Sequence, residues 1–380
     1  MRSHFLALLG ISTALSTAAA AETQVIGTQK VEIRVETVAQ GLDSPWGLAF
    51  LPDGSKLVTE RPGSLRRINA DGTVSEPISG TPDVVTGGQG GLLGLAIDPA
   101  FAENRRIYLC HSARGDGGSS TAVMTATLSE DFSKLKDGKT IFRQEPAVSS
   151  GRHFGCRLVF DREGALFITT GDRGSRSESA QDPATGIGKV HRIKTDGTPA
   201  GAGVEGWLTT IWSMGHRNAQ GAALNPETGV LWTAEHGARG GDEVNAVEAG
   251  KNYGWPVITY GRDYSGAKIG VGTAKDGMEQ PVHYWDPSIA PSGLTFYTGD
   301  TIPEWKGSVF VGALAGEKLV RLELDGRRVV AEEALFESAG ARIRDVVQGP
   351  DQALYVMTDS SNGQIMRITR ADPVATGTVD

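Results

Sequence analysis

One pattern recurs along the whole chain: a small residue, a short apolar strand, a Pro/Asp/Gly turn, a second apolar strand and a polar third. The copies begin with WGLAFLPDGSKLVTERPGSLRRI (46–68), LGLAIDPAFAENRRIYLCHSA (93–113) and CRLVFDREGALFITTGDRG (156–174). They continue with QGAALNPETGVLWTAEHG (220–237), SGLTFYTGDTIPEWKGSVFVGAL (292–314) and IRDVVQGPDQALYVMTDSSNGQIMRIT (343–369). Each copy reads as a β-meander too small to bury its own faces, so neighbours must stack. Closing the stack into a ring leaves no long exposed edge, which predicts an all-β, six-bladed β-propeller. A two-sheet sandwich competes, but similar units over the whole mature chain favour the ring. The strand VEIRVETVA (31–39) has no blade of its own and is expected to complete the last one. Glycine agrees with so many tight reversals: it makes up 51 of 380 residues, nearly twice the ordinary share of about 7%.

The first residues have a different purpose. Arg2 precedes the apolar run FLALLGISTALSTAAA, and the small residues Ala19, Ala20 and Ala21 follow. This is the layout of a secretory signal peptide, with cleavage expected after Ala21. Residues 22–380 are then expected as one exported propeller domain, periplasmic or secreted. No later stretch approaches the ~20 consecutive apolar residues of a membrane span. The net charge of −8 argues against nucleic acid or an anionic membrane surface as partner. Only Cys110 and Cys156 occur. They either pair in an oxidising compartment or stand as two small core residues.

In a propeller the first strand of each blade lines the central channel, and loops at one end form the site. The segment SSGRHFGCRLVF (149–160) puts His153 just ahead of such a strand, between Arg152 and Arg157. Neighbouring cations disfavour imidazolium, so the ring should be neutral near pH 7 and able to take a proton. Equivalent places hold Gln89 in GGQGGLLG (87–94), Arg217 and Asn218 in MGHRNAQG (214–221), and Arg342 and Arg344 in RIRD (342–345). Arginines converging on a channel mouth suit a ligand with several carboxylates. The stretch AEHGARGGDEVNAVEAGKNYGWP (234–256) combines Asp242 and Glu243 with glycines that free backbone carbonyls. Carboxylate and carbonyl oxygens are calcium chemistry.

Taken together, GHRNAQG, EHGARGGDE, KNYGWP, HFGCRLVF and RIRD resemble the soluble pyrroloquinoline quinone (PQQ)-dependent aldose sugar dehydrogenases of bacteria, over nearly all of the mature chain. The resemblance implies a six-bladed propeller that oxidises aldoses at the anomeric carbon to lactones. It makes His153 the base and gives Arg217 a share in stabilising developing charge. Gln89, Arg217, Asn218, Tyr264, Arg342 and Arg344 match cofactor contacts. The carbonyls of Gly237 and Ala238 match ligands of a calcium at the cofactor, and Glu243 and Tyr253 match a second, structural calcium site. One departure is Ala315, where family members often carry a lysine facing the cofactor; Lys318 lies three residues on. The competing reading is a calcium-dependent propeller lactonase or esterase without PQQ, which has no use for converging arginines. The substrate is expected to be a small aldose and the chain a monomer or dimer. The electron acceptor carries no sequence signature here, since no C-x-x-C-H haem motif is present.

Overall fold

The structure is a computed structural model that describes residues 23–337 and 340–371. The proposed signal peptide, residues 1–21, lies outside the described residues. Six antiparallel sheets follow one another along the chain. Their inner strands are Pro45–Phe50, Leu92–Ile97, Leu158–Phe160, Ala219–Leu224, Pro291–Phe296 and Ile343–Gln348, which we number as blades one to six. Each inner strand falls at the start of a sequence copy, so the all-β, six-bladed propeller is the fold. Among the described residues, no helix is long and apolar enough to cross a membrane.

The ring is closed by the strand that had no blade. Glu32–Leu42 pairs antiparallel with Gly363–Arg370, with Val35 opposite Ile368. Thr23–Gly27 then adds a further strand outside it. Second strands such as Leu231–Glu235 and Val309–Ala313 are buried throughout, because side chains on both faces meet a neighbouring blade. Between blades four and five, for example, Trp232, Val244, Val309 and Val320 form one apolar cluster. The repeat pattern did not capture the outer strands. Leu135–Arg143, Ile211–Met214, His283–Trp285 and Arg328–Leu335 are fourth strands drawn from the segments between copies.

The narrow end of each wedge explains a detail of the repeat. Four copies open with glycine at the same place: Gly47, Gly94, Gly221 and Gly293. A β-carbon on Gly94 would collide with the Cys156 carbonyl, and one on Gly221 with the Ser292 carbonyl. Glycine lets adjacent inner strands close up around the axis. The other two copies carry Arg157 and Asp345 there, on opposite blades, and these meet across the channel. Arg157 Nη1 donates to Asp345 Oδ2 at 3.0 Å, both side chains being buried. Arg157 also donates through Nε to the Gln220 carbonyl at 2.8 Å and lies over the Trp46 ring.

Cys110 and Cys156 are disulfide-bonded, with 5.6 Å between their Cα atoms, and tie blade two to the segment that enters blade three. The bridge closes a separation of 46 residues. Chain entropy predicts that a Cys110→Ala/Cys156→Ala variant loses up to about 4 kcal/mol of unfolding free energy. Denaturant melts of the two proteins check this, and coincident midpoints would contradict it.

Candidate active site

His153 sits in the short segment between blades two and three, and its backbone is held from several sides. It adopts φ +51°, a left-handed conformation that costs a residue with a β-carbon roughly 1–2 kcal/mol. Its N–H donates to Gln89 Oε1 at 2.8 Å. Arg173, buried and packed on the Phe154 ring, donates to the Ser150 carbonyl at 2.6 Å and to the Arg152 carbonyl. Gly155 N–H donates to Asn218 Oδ1 at 3.1 Å, and Thr121 Oγ1 to the Phe154 carbonyl at 2.7 Å.

The imidazole faces Asp172, which the sequence reading did not single out. Nδ1 lies 2.6 Å from Asp172 Oδ1. That carboxylate is buried and takes two further hydrogen bonds, from Gly174 N–H to Oδ1 and from Trp255 Nε1 to Oδ2, each 2.7 Å. With Nδ1 bound as a donor to the carboxylate, Nε2 is the basic nitrogen. His153 is held below its usual pKa, chiefly by burial. The Asp172 hydrogen bond opposes this, whereas the charges of Arg217 and Arg152 add to it. The neutral ring expected from sequence therefore has a different main cause, and Arg157, committed to Asp345, is not part of it. For Asp172 burial acts upward, but the hydrogen bond and charge of His153 and the charge of Arg217 outweigh it and hold the carboxyl below its usual range.

His153, Asp172, Gln89, Arg217, Ala238, Trp255 and Tyr264 line a cleft of about 770 Å³, within the span of small-molecule sites. The 256–271 segment, inserted between the third and fourth strands of blade four, forms its outer wall. Tyr264 stands on that wall and is 68% exposed. Arg342 and Arg344 are not in this cleft. They line a second cavity of about 370 Å³ with Trp46, Arg61, His236 and Asp359, and Gln89 borders both. Asp359, also absent from the sequence reading, is shared by the two arginines at 3.0 and 3.1 Å. Arg344 Nη1 also donates to Gln220 Oε1 at 2.8 Å.

Three residues matched to the cofactor carry buried donors without an acceptor among the described residues: Arg217 Nε, Asn218 Nδ2 and Arg344 Nε. Leaving such a group unpaired costs about 1–3 kcal/mol each. An acceptor-rich anion seated beside Gln89 fits these donors. His236, which lines the second cavity, is held well below its usual pKa by burial and then by the charges of Arg217, His153 and Arg344. It is therefore neutral, and its Nε2 is also unpartnered.

The calcium expectation meets a more particular geometry. Asp242 is fully committed, taking hydrogen bonds from Gly237 N–H (2.7 Å), Ser288 Oγ (2.6 Å), Ile289 N–H (2.7 Å) and Ala290 N–H (2.8 Å). It anchors the glycine loop and is not placed to hold a metal. Among the described residues, no group of three or more His, Cys, Asp or Glu side chains could hold one. At the second location, burial and then the Glu235 charge push the Glu243 carboxyl up to about 8, a strain that a cation would relieve. The Tyr253 hydroxyl is committed to the Ala246 carbonyl (2.6 Å) and the Glu248 N–H (2.9 Å), so only its backbone carbonyl suits a metal. At the position of the family lysine, Ala315 presents only a methyl group. Lys318 pairs with Glu337 at 3.4 Å and lines neither cavity.

Comparison with known proteins gives the site its context. A family model described as Glucose / Sorbosone dehydrogenase matches residues 42–367. Aldose sugar dehydrogenase YliI of Escherichia coli is 45% identical over 350 residues, covering 89% of this chain and 93% of that protein. The apo-form crystal structure of the soluble aldose sugar dehydrogenase from Escherichia coli superposes with a TM-score of 0.86 at 44% identity, over 89% of this chain and 100% of that one. The PQQ-bound aldose sugar dehydrogenase from Streptomyces coelicolor is 28% identical with a TM-score of 0.73, over 92% and 100% of the two chains.

Proposed function

The chain belongs to the glucose/sorbosone dehydrogenase family of oxidoreductases, and from that premise we propose a PQQ- and calcium-dependent enzyme that oxidises aldoses at the anomeric carbon to lactones. The observation that carries this reading is the set of unpaired buried donors on Arg217, Asn218 and Arg344, set beside a neutral histidine. Gln89, Arg217, Asn218, Arg342 and Arg344 would hold the cofactor, with Tyr264 closing over it from the outer wall. The carbonyls of Gly237 and Ala238 would hold one calcium, and Glu243 with the Tyr253 carbonyl a second. PQQ, when bound, supplies the acceptor for the hydride that leaves C1 of the sugar.

The remaining work falls to side chains of the protein. His153 Nε2 takes the proton of the anomeric hydroxyl as C1 is oxidised. Asp172 keeps Nδ1 protonated, fixes the ring and stabilises the imidazolium that forms. Trp255 and Gly174 hold the Asp172 carboxylate in place. Arg217, buried against the Trp255 ring, stabilises negative charge developing in the cleft. We also propose export, with the leader removed after Ala21. The Cys110–Cys156 disulfide supports it, since such bonds persist in oxidising compartments.

Adding PQQ and calcium to the purified protein should produce aldose-dependent reduction of an electron-accepting dye. Lactone hydrolysis without dye reduction would favour the hydrolase reading instead. A chelator should lower both the melting temperature and turnover, because an ion bound only by the folded state stabilises it by mass action. If neither changes, the calcium assignment is wrong.

A further inference from the structure

Of the three arginines lining the second cavity, Arg342 and Arg344 share the single carboxylate of Asp359. Two guanidiniums against one carboxylate leave that pair a balance of one positive charge. Arg61 is different. It has no carboxylate partner among the described residues. Its Nη1 donates to the Gly88 carbonyl at 2.7 Å, while the adjacent Glu60 pairs with Arg66 at 3.7 Å.

The position of Arg61 is also fixed. It follows the second strand of blade one, Lys56–Glu60, next round the ring from the blade that carries Arg342 and Arg344. Its N–H donates to the Ser44 carbonyl at 3.1 Å, and its carbonyl accepts from Leu92 N–H at 3.0 Å. Gly91, at φ +149°, passes so close that a β-carbon there would collide with the Arg61 carbonyl and its Cγ. The chain thus gives up a side chain at residue 91 where Arg61 passes towards the cavity. The fifth blade contributes no cation of its own, given Ala315 and the outward pairing of Lys318.

We propose that Arg61 is a further anion-binding residue of this cavity, its guanidinium taking a carboxylate of the bound cofactor. The inference rests on the PQQ reading above. A competing role is purely structural: the bond to Gly88 anchors the Gly87–Gly91 loop, whose Gln89 holds the His153 N–H.

The two roles separate in one experiment on the full chain with calcium present. PQQ affinity is measured by quenching of intrinsic fluorescence, and kcat is measured at saturating PQQ. Arg61→Gln should weaken PQQ binding by roughly ten- to hundredfold, the range for a lost hydrogen bond to a charged group, and the gap should narrow with added salt. Its kcat at saturation should match the wild type. A fall in kcat at saturation would mean that Arg61 acts through Gln89 and would overturn the proposal. So would unchanged affinity in Arg61→Gln beside weakened affinity in Arg344→Ala, a result that leaves the PQQ reading standing. A wild-type protein that does not bind PQQ removes both. Should Arg61→Gln not fold, Arg61→Lys carries the test. It keeps the charge but not the forked donor, so affinity should fall by less with kcat unchanged, and wild-type affinity would overturn the proposal.

Discussion

His153→Gln is expected to lower kcat with aldoses by about 10²–10⁴, the contribution of one positioned base, while PQQ and calcium still bind. Neither ligand is assigned to the imidazole. The variant should fold, because the segment is held through its backbone by Gln89, Arg173, Asn218 and Thr121. The left-handed φ is a modest additional strain, and His153→Asn, a residue that tolerates that region better, controls for it. The pH dependence gives a second measurement. Burial lowers the His153 pKa from 6.5, so the base is neutral above that lowered value and activity is lost as pH falls through it. The acid limb of kcat therefore lies below pH 6.5 in the wild type and should be missing from both variants. Arg152→Ala should move the wild-type limb to higher pH, since its charge depresses the imidazole. Arg157, ion-paired with Asp345, is not among the leading charges that depress it. A PQQ-loaded His153→Gln enzyme that oxidises glucose at close to the wild-type rate would return His153 to the status of a loop residue.

What the sequence revealed and what it hid follow from one feature of an antiparallel blade. The repeat located every inner strand, and residues just ahead of those strands were read as site candidates. That reading singles out His153, Gln89, Arg217, Asn218, Arg342 and Arg344 as candidates. In an antiparallel pair, however, the start of the first strand and the end of the second come to the same end of the molecule. Pro45 lies opposite Glu60, Ala219 opposite Glu235, and Ile343 opposite Thr358. The ends of the second strands hold the residues that were passed over: Arg61 after LVTE, Asp172 after FITTG, His236 after WTAE, and Asp359 after YVMT. The signal was present in the same copies, one strand further on. Arg157 was misread for a related reason. Aligned against the other copies, it occupies the glycine position and so faces the axis, where only Asp345 on the opposite blade explains it. The long wall from 256 to 271 follows no repeat. Its contribution to the cleft depends on loop conformation, which periodicity does not encode.

Asp172→Asn should separate orientation of the base from proton transfer itself. Both carboxylate oxygens face donors: Oδ1 meets Gly174 N–H and His153 Nδ1, and Oδ2 meets Trp255 Nε1. An asparagine must point its NH₂ at one of these sets. Facing Trp255, it forfeits that bond and the negative charge behind the imidazolium. Facing His153, it turns Nδ1 into an acceptor and sends the ring proton to Nε2, which removes the base. Either arrangement lowers kcat, and we expect a loss on the order of 10²-fold or more, within the range for general base catalysis. The sign of the pH shift is fixed as well. The hydrogen bond and charge of Asp172 raise the His153 pKa against burial, so without them it falls further and the acid limb moves to lower pH. A loss of rate accompanied by an acid limb displaced downward is the signature of a lost imidazole partner, and general damage to the cleft would not produce it. Binding of PQQ should be little changed, because Asp172 hydrogen-bonds the cofactor-assigned Arg217 only through its own backbone N–H, donated to the Arg217 carbonyl at 2.8 Å, a bond that asparagine keeps. Wild-type kcat with an unshifted limb in Asp172→Asn would show that the 2.6 Å contact is structural and that His153 works without it.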